Sequence, residues 1–378
     1  MIRWLFKYGA VIFLFNTILL SIGSTIALGN IIFLVLMGIF TFMLLINPYQ
    51  IKEILFHKAF TLFLIINFLN IVYFLLFHSI TDFEAVKYLF ARGIQFSIIS
   101  CSIFYHYEYY RSRFLIHIAY GSFLLILLGF VFDPNIFSGR YSGLIWNPNM
   151  LASLTSIAFA VLLLSQKQRT RFDSFLLVFL LIISLATGSR GILVAISLAY
   201  LFKYGFSMRN IIYALFALAS YFVLVNIQLD TSVNRFVSQD LFNNRLLQYH
   251  YAYETLLQKP LFGFGLDKYA YINPELVPYY LKGHVMGAHN GYLAILVQYG
   301  IVFGLVVIGL IVYQTTQFYL KIDKEDSVEL SYLYIIFYAI IASFYETMMT
   351  GINEFHTVLF WFSFGFLSYS LYQKKYGS

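Results

Sequence analysis

The chain has little charge and almost no cysteine. Only 11% of its 378 residues are charged, and its one cysteine is Cys101. A single cysteine excludes an internal disulfide and a cysteine-based metal cluster. The sequence also lacks internal repeats, low-complexity tracts and Gly/Ser linkers, so nothing divides it and we expect one domain over residues 1–378.

Apolar residues, by contrast, are abundant. Hydrophobic residues make up 61% of the chain and aromatic residues 20%, and apolar segments long enough to cross lipid recur from end to end. This pattern predicts an all-α integral membrane protein with about twelve transmembrane helices. The expected spans are about Gly9 to Leu28, Ile31 to Ile46, Ala59 to Phe77, Tyr88 to Tyr105, Phe114 to Phe132, Met150 to Leu164, Phe172 to Ala186, Ile192 to Phe202, Ile211 to Ile227, Tyr292 to Tyr313, Ser331 to Met349 and Phe355 to Leu371.

The net charge of +7 is better explained by membrane topology than by a nucleic-acid partner. With the N-terminus placed inside, fifteen of the twenty-four lysines and arginines fall on inside loops. Because cytoplasmic loops carry an excess of basic residues, both termini are expected to be cytoplasmic. The first span follows Arg3 and Lys7 without a small-residue cleavage pattern, so we expect it to be retained.

One polar stretch, at about residues 229–288, interrupts the apolar chain and forms a predicted external loop between the ninth and tenth spans. Loops of membrane proteins are usually short, so one of this length is more plausibly part of a site than a connector. Asn243 or Asn244 is expected to cap a helix that runs to about Gln258, with Arg245 in its first turn. The loop is therefore predicted to be partly helical.

The seventh and eighth spans share only thirty-one residues between Arg171 and Lys203. Two full crossings need about forty residues. We therefore predict two short helices whose turn, at residues 187–191, lies below the outer surface. Arg190 would then lie at membrane depth, where an ionisable side chain indicates a functional role. The alternative is an arginine that extends to the interface.

Three arginines point outward in this topology: Arg140, Arg190 and Arg245. Guanidinium groups offer fixed pairs of donors for phosphate oxygens, and the first turn of a helix adds backbone N–H groups. The three side chains could converge on one anion such as a pyrophosphate, which would need no metal. Taken one at a time, each could equally be a solvated or headgroup-bound arginine.

His289 precedes an outward-facing helix start, where the helix dipole disfavours the imidazolium and favours a neutral ring that can accept a proton. A capping or interface histidine is the alternative. Glu346 and Glu354 bracket the short outer turn between the last two spans, and the more deeply placed Glu346 could steady His289 or an acceptor. His284 could join His289 in a metal site, but no carboxylate spacing completes the ligand set. We expect neither a metal nor another cofactor.

These residues occur in a recognisable order over roughly residues 138–304. The chain resembles the O-antigen ligase and polysaccharide polymerase superfamily of bacterial inner membranes. The residues that carry the resemblance are Arg140 followed by Gly143 and Asn147-Pro148-Asn149, then Thr187-Gly188-Ser189-Arg190, then Arg245 with Tyr249 four residues later, then Lys259-Pro260 and Gly263-Phe264-Gly265, and finally His289-Asn290 at a helix start. Many relatives have tryptophan where this chain has Tyr249.

The resemblance implies a twelve-helix bundle in the bacterial cytoplasmic (inner) membrane, with its active site on the external or periplasmic face. The donor would be a glycan on undecaprenyl pyrophosphate, transferred without a metal and with inversion of the anomeric carbon. Arg190 and Arg245 would neutralise the departing pyrophosphate and His289 would activate the acceptor hydroxyl. Further candidates for substrate binding are Arg140, Asn149, Asn290, His284 and Glu346.

We favour a polymerase that joins lipid-linked repeat units of a capsule, O-antigen or similar polysaccharide. The nearest alternative is a ligase that moves the glycan to lipid A core or another acceptor. A flippase for lipid-linked oligosaccharide is a non-enzyme alternative, although a transporter is expected to show paired halves and charges near the midplane. A polyprenyl-monophosphate-dependent transferase would instead use a metal at Asp82 or Glu84. Expected partners are the lipid-linked donor, a glycan or lipid-glycan acceptor, membrane lipids and a flippase or chain-length regulator, but no nucleic acid.

Overall fold

The computed structural model describes residues 2–136, 140–165, 170–189, 191–225, 243–283, 285 and 287–376. This part of the chain forms fourteen α-helices and no strand. The helices are α1 (Ile2–Leu19), α2 (Ile26–Ile46), α3 (Pro48–Leu55), α4 (Thr61–Phe77), α5 (Phe83–Ser112), α6 (Phe114–Phe132), α7 (Pro148–Leu164), α8 (Arg171–Ala186), α9 (Gly191–Tyr204), α10 (Met208–Val225), α11 (Asn243–Gln258), α12 (Gly291–Lys321), α13 (Ser327–Ala342) and α14 (Phe355–Tyr376).

Side-chain caps fix where several helices begin. The Asn147 side chain accepts a hydrogen bond from a backbone N–H in the first turn of α7, and Pro148 occupies the first helical position. Asn290 caps α12 and Asp326 caps α13 in the same way, each accepting from two backbone N–H groups. Caps satisfy donors that have no partner within the helix, so they define these boundaries sharply.

The core of the bundle lies around α14 and α7. Helix α14 packs against α1, α5, α7 and α13, and α7 is flanked by α6, α8 and α9. Other helices leave apolar side chains uncovered: Leu34, Leu45, Leu75 and Val131 are each at least two-thirds exposed. Such large apolar surfaces on a helical bundle are suited to lipid contact.

Four of the described helical segments are long and apolar enough to cross a membrane: Gly23–Ile46, Lys58–Phe77, Phe114–Phe132 and Gly291–Lys321. Pro148–Leu164, Gly191–Tyr204 and Ser327–Ala342 are shorter apolar helices. The predicted class, an all-helical membrane protein, agrees with these findings. The count of twelve spans stays a prediction.

Two local predictions match the structure closely. The predicted seventh and eighth spans are two short helices, α8 and α9, which are separated by residues 187–190. The helix in the long loop is α11, with the predicted bounds Asn243–Gln258. Arg190 and the beginning of the loop, up to residue 242, lie outside the described residues.

The predicted span from Ser331 to Met349 is wrong at its end, because α13 stops at Ala342. Met348 and Met349 are apolar and buried, as a span would require. Their segment is instead a turn, in which side chains from α5 and α14 bind the backbone carbonyls of residues 349–352. Apolar composition alone does not distinguish a buried turn from the end of a helix.

The segment at residues 260–265 packs against a break in α12. Gly300 has a φ of 70° within that helix, a conformation that favours glycine. The break frees backbone groups, and the Phe264 N–H donates to the Val297 carbonyl at 2.8 Å. A Cβ on Gly263 would lie only 2.4 Å from the Gly300 nitrogen. The glycines of this segment thus permit close contact between two backbones.

Candidate functional site

Glu346, in the turn after α13, joins three separate stretches of the chain. Its Oε1 accepts hydrogen bonds from Arg245 Nη2 at 2.7 Å and from Asn149 Nδ2 at 3.1 Å. Its Oε2 lies 3.1 Å from Nδ1 of His289. The Glu346 side chain is 17% exposed. The Glu346 carboxylate therefore links the first turn of α7, the first turn of α11 and His289, which precedes the cap of α12.

The surroundings of Glu346 favour its charged form. Burial alone would raise its pKa, but the hydrogen bond with His289 and the charge of Arg245 outweigh burial and hold the pKa below its ordinary value. An ionised carboxylate can only accept, so Nδ1 of a neutral His289 carries the hydrogen in this contact. That tautomer leaves a lone pair on Nε2. The His289 side chain is 40% exposed, so the lone pair can reach a ligand.

The backbone of His289 is held in an unfavourable conformation. Its φ is 39°, in the left-handed region, which costs about 1–2 kcal/mol for a residue with a Cβ. Backbone hydrogen bonds fix the chain on both sides: Ala288 N–H donates to Ala270 O at 3.1 Å, and Gly291 N–H donates to Ser343 O at 2.7 Å. Strain of this kind persists where the surroundings fix a functional side chain.

Asn290 uses both ends of its amide to position this region. Its Oδ1 accepts from the N–H groups of Tyr292 and Leu293 at 3.0 Å, and its Nδ2 donates to Phe344 O at 3.1 Å. The Tyr249 hydroxyl donates to the same carbonyl at 2.9 Å. These contacts support His289 and the turn that follows α13. Substrate binding by Asn290 stays a prediction.

Arg245 lies in the first turn of α11, as predicted. Besides its bond to Glu346, its Nη1 donates to the backbone carbonyl of Tyr345. A guanidinium has five N–H donors, so these two bonds do not exhaust its capacity. The side chain is 32% exposed. Arg245 can therefore hold Glu346 and still present donors to an anion.

Arg140 and Asn149 extend the network outward. Arg140 Nη2 donates to Asn149 Oδ1 at 3.3 Å, and Asn149 in turn donates to Glu346. The structure thus brings together Arg140, Asn149, Arg245, His289 and Glu346, and Asn290 supports them. The two remaining predicted site residues, Arg190 and His284, lie outside the described residues.

Sequence reasoning missed a buried arginine below the turn after α13. Arg92 on α5 is 3% exposed. It donates to Gln95 Oε1 at 2.6 Å and to the carbonyls of Thr350 and Gly351 at 2.5 and 3.2 Å. The sequence did contain a signal for this role, because Arg92 precedes Gln95 by three positions in an apolar helix. Ionisable residues within membrane segments pair with one another or with backbone carbonyls.

The fold and these contacts define a helical membrane protein with a histidine–carboxylate pair and arginines at one end of its bundle. Residues 175–326 match a family model described as O-antigen ligase. The match confirms the predicted resemblance, and it covers Arg245 and His289 but not Asn149 or Glu346. No curated protein matches the chain significantly. The family supports a glycosyltransferase-type enzyme that acts on lipid-linked glycans in a membrane.

Proposed function

We propose that this protein is a polymerase that joins undecaprenyl-pyrophosphate-linked oligosaccharide repeat units on the outer face of the bacterial cytoplasmic membrane. The observation that carries the proposal is the contact between Glu346 and Nδ1 of His289, 3.1 Å long, beside the guanidinium of Arg245. This arrangement offers a proton acceptor and positive charge side by side, as glycosyl transfer from a pyrophosphate requires.

In the proposed step, an acceptor hydroxyl oxygen bonds to the anomeric carbon of the donor glycan. The bond from that carbon to the pyrophosphate oxygen breaks, and the hydroxyl proton passes to Nε2 of His289. Glu346 holds the ring through Nδ1 and stabilises the imidazolium that forms. Attack from the face opposite the leaving group inverts the anomeric carbon. No metal takes part in this proposal.

Negative charge develops on the departing undecaprenyl pyrophosphate. Arg245 neutralises it with the donors that Glu346 and the Tyr345 carbonyl leave available. Arg140 is exposed and belongs to the same hydrogen-bond network, because it donates to Asn149. Arg190 is proposed as a third cation because the next residue in the sequence, Gly191 at the start of α9, has its carbonyl 3.5 Å from the hydroxyl of Tyr345.

A ligase is the second candidate, and the description of the matched family as O-antigen ligase favours it. It would use the same donor, base and arginines. The difference lies in the acceptor, which is another lipid-linked glycan for a polymerase and lipid A core or another lipid for a ligase.

The test is glycan transfer from a purified lipid-pyrophosphate-linked oligosaccharide by the full chain in liposomes, with EDTA present. The variants are His289→Ala, Arg245→Ala and Arg190→Ala. His250→Ala is a matched control, because His250 lies on α11 with Arg245 and is exposed. We expect a ladder of products from the wild type and the control, and strong loss in the three variants.

Each outcome decides between the candidates. Transfer to a different lipid acceptor without a ladder would establish the ligase. Movement of the donor across the bilayer without a new bond would mean a transporter. Full activity in all three variants would overturn the proposed site, and loss of activity with EDTA would overturn metal independence.

A further inference from the structure

A second histidine–carboxylate pair lies at the other end of the turn that carries Glu346. Glu354 Oε2 lies 3.1 Å from His356 Nε2 and accepts from Thr357 Oγ1 at 3.3 Å. Its Oε1 has no hydrogen-bond partner within the described part of the chain. The Glu354 side chain is 41% exposed. This carboxylate is thus held through Oε2, and its Oε1 is available to accept a hydrogen bond from a ligand.

The backbone beneath Glu354 is fixed by side chains of the bundle. Arg92 and Gln95, both on α5, bind the carbonyls of residues 350–352, and Trp361 Nε1 on α14 donates to the Met349 carbonyl at 3.2 Å. Side chains of α5 and α14 therefore bind four successive backbone carbonyls, those of residues 349–352. A buried charged side chain that binds two carbonyls of a turn indicates that the position of the turn matters.

Gly351 gives the Glu354 side chain room to lie against this turn. A Cβ on Gly351 would stand 2.5 Å from Glu354 Oε2, which is far too close for two atoms that are not bonded. The missing Cβ thus leaves the space that the carboxylate occupies over the turn.

Aromatic and amide groups adjoin Glu354. Tyr269 is 41% exposed, and its ring centroid is 6.1 Å from that of Tyr88. The Tyr88 hydroxyl accepts from Arg92 at 3.2 Å, and Arg92 also binds the carbonyl of Gly351, the residue against which Glu354 lies, so Tyr269 belongs to the same neighbourhood as Glu354. Asn353 Oδ1 and Thr350 Oγ1 are buried without a hydrogen-bond partner among the described residues. Thr350 is 3% exposed.

These groups suit a saccharide better than a phosphate. A carboxylate accepts hydrogen bonds from sugar hydroxyls and repels phosphate, while a tyrosine ring covers the apolar face of a sugar. We propose that Glu354, Tyr269 and Asn353 form a subsite for the acceptor saccharide, eight residues along the turn from the carboxylate that holds His289. The inference rests on the proposed function, because it assigns the acceptor of that reaction.

The subsite can be tested by binding a ligand that has no pyrophosphate. The probe is the free repeat-unit oligosaccharide, released by mild acid from the lipid-linked donor. Replacing Trp4 and Trp146 by Phe leaves Trp361 as the single tryptophan, and its contact with the Met349 carbonyl makes its fluorescence a reporter on the turn. The full chain in detergent is titrated with the oligosaccharide.

We expect Glu354→Gln and Tyr269→Ala each to weaken oligosaccharide binding about tenfold, the effect of losing one charge-assisted hydrogen bond or one stacked ring. Tyr269→Phe keeps the ring and should bind within about twofold of the parent. Glu84→Gln is the matched control, because Glu84 is an exposed carboxylate that forms an ion pair with Lys87. The donor KM in the transfer assay should stay within about twofold in all variants.

Unchanged affinity in both Glu354→Gln and Tyr269→Ala, or no binding by the parent, would overturn the subsite even if transfer by the wild type is intact. Oligosaccharide binding without any transfer by the wild type would overturn the proposed reaction and leave the subsite standing. Should Glu354→Gln fail to fold, the two Tyr269 variants decide the question alone.

Discussion

Two histidine–glutamate pairs lie at the two ends of one turn, and they are built differently. Glu346 is 17% exposed and has both oxygens engaged, by Arg245, Asn149 and His289. Glu354 is 41% exposed and has one oxygen engaged. Glu346 is held through both oxygens, which suits a carboxylate that positions its partners, whereas Glu354 has an oxygen without a hydrogen-bond partner among the described residues, which suits binding a ligand. In the proposals above, the first pair acts in catalysis and the second in recognition of the acceptor.

The largest expected effect separates the two histidines. His289→Ala removes the proton acceptor and should lower kcat about a thousandfold, within the usual range for general base catalysis. His356→Gln removes only a support of Glu354 and should lower kcat less than about tenfold. Initial rates at saturating donor measure both. Similar losses in the two variants would contradict the division of labour between the pairs.

The second effect separates the two carboxylates. Glu346→Gln cannot hold Nδ1–H of His289 as a charged acceptor, so the ring is free to adopt the wrong tautomer and kcat should fall about a hundredfold. Glu354→Gln should leave kcat within about threefold, because it disturbs acceptor binding alone. Asn149→Ala is the control for packing near Glu346, since it removes one bond to the carboxylate but keeps its charge. A rise in KM without a fall in kcat for Glu346→Gln would refute a positioning role.

A third, smaller effect tests whether the two ends of the turn act independently. Gly351→Ala places a methyl group against Glu354 Oε2 and should displace that side chain without touching Glu346. We expect oligosaccharide affinity to fall about fivefold, somewhat less than one hydrogen bond provides, and kcat to change less than twofold. Gly93→Ala is the matched control, because a Cβ there meets nothing within 4 Å. A large loss of kcat in Gly351→Ala would mean that the turn transmits strain to His289.

Local signals predicted some parts of the site well. Asn243 and the Lys259-Pro260 pair mark the ends of α11, so Arg245 in its first turn could be placed from sequence alone. The apolar span predicted to begin at about Tyr292 likewise placed His289 before a helix start, and the structure has α12 begin at Gly291. These predictions depend on residues a few positions apart, which is where capping rules apply.

Contacts between distant segments were harder to predict. Glu346 lies 57 positions from His289 and 101 from Arg245, and the sequence left open whether it steadies His289 or an acceptor. Arg92 binds carbonyls some 258 positions away. Every residue has a backbone carbonyl, so the sequence does not indicate which carbonyls a side chain binds. The contacts of Arg92, Gln95 and Trp361 with the turn that carries Glu354 could therefore be seen only in the folded chain.

The smallest expected effect uses pH to isolate Glu346 from its surroundings. Its pKa is lowered in the folded protein, so its ionised form stabilises the fold above the ordinary carboxyl range, and this contribution is lost as the pH falls through the lowered pKa. The thermal midpoint of the wild type should therefore exceed that of Glu346→Gln by about 1–2 °C at pH 7. The two midpoints should converge below the ordinary carboxyl pKa of 4.5.

The control for this experiment removes the causes of the shift and keeps the burial. Replacing His289 and Arg245 by Ala removes the hydrogen bonds and charges that lower the pKa of Glu346, while its burial, which raises the pKa, and its hydrogen bond from Asn149 remain. In that background, the protein that keeps Glu346 should have a lower thermal midpoint at pH 7 than the one with Glu346→Gln. The difference between the two midpoints should shrink as the pH falls. Thermal unfolding of the four proteins between pH 7 and pH 4 gives the sign directly. A midpoint difference that keeps the same sign in both backgrounds would show that Glu346 is stabilised by packing, and that its contacts with His289 and Arg245 add nothing.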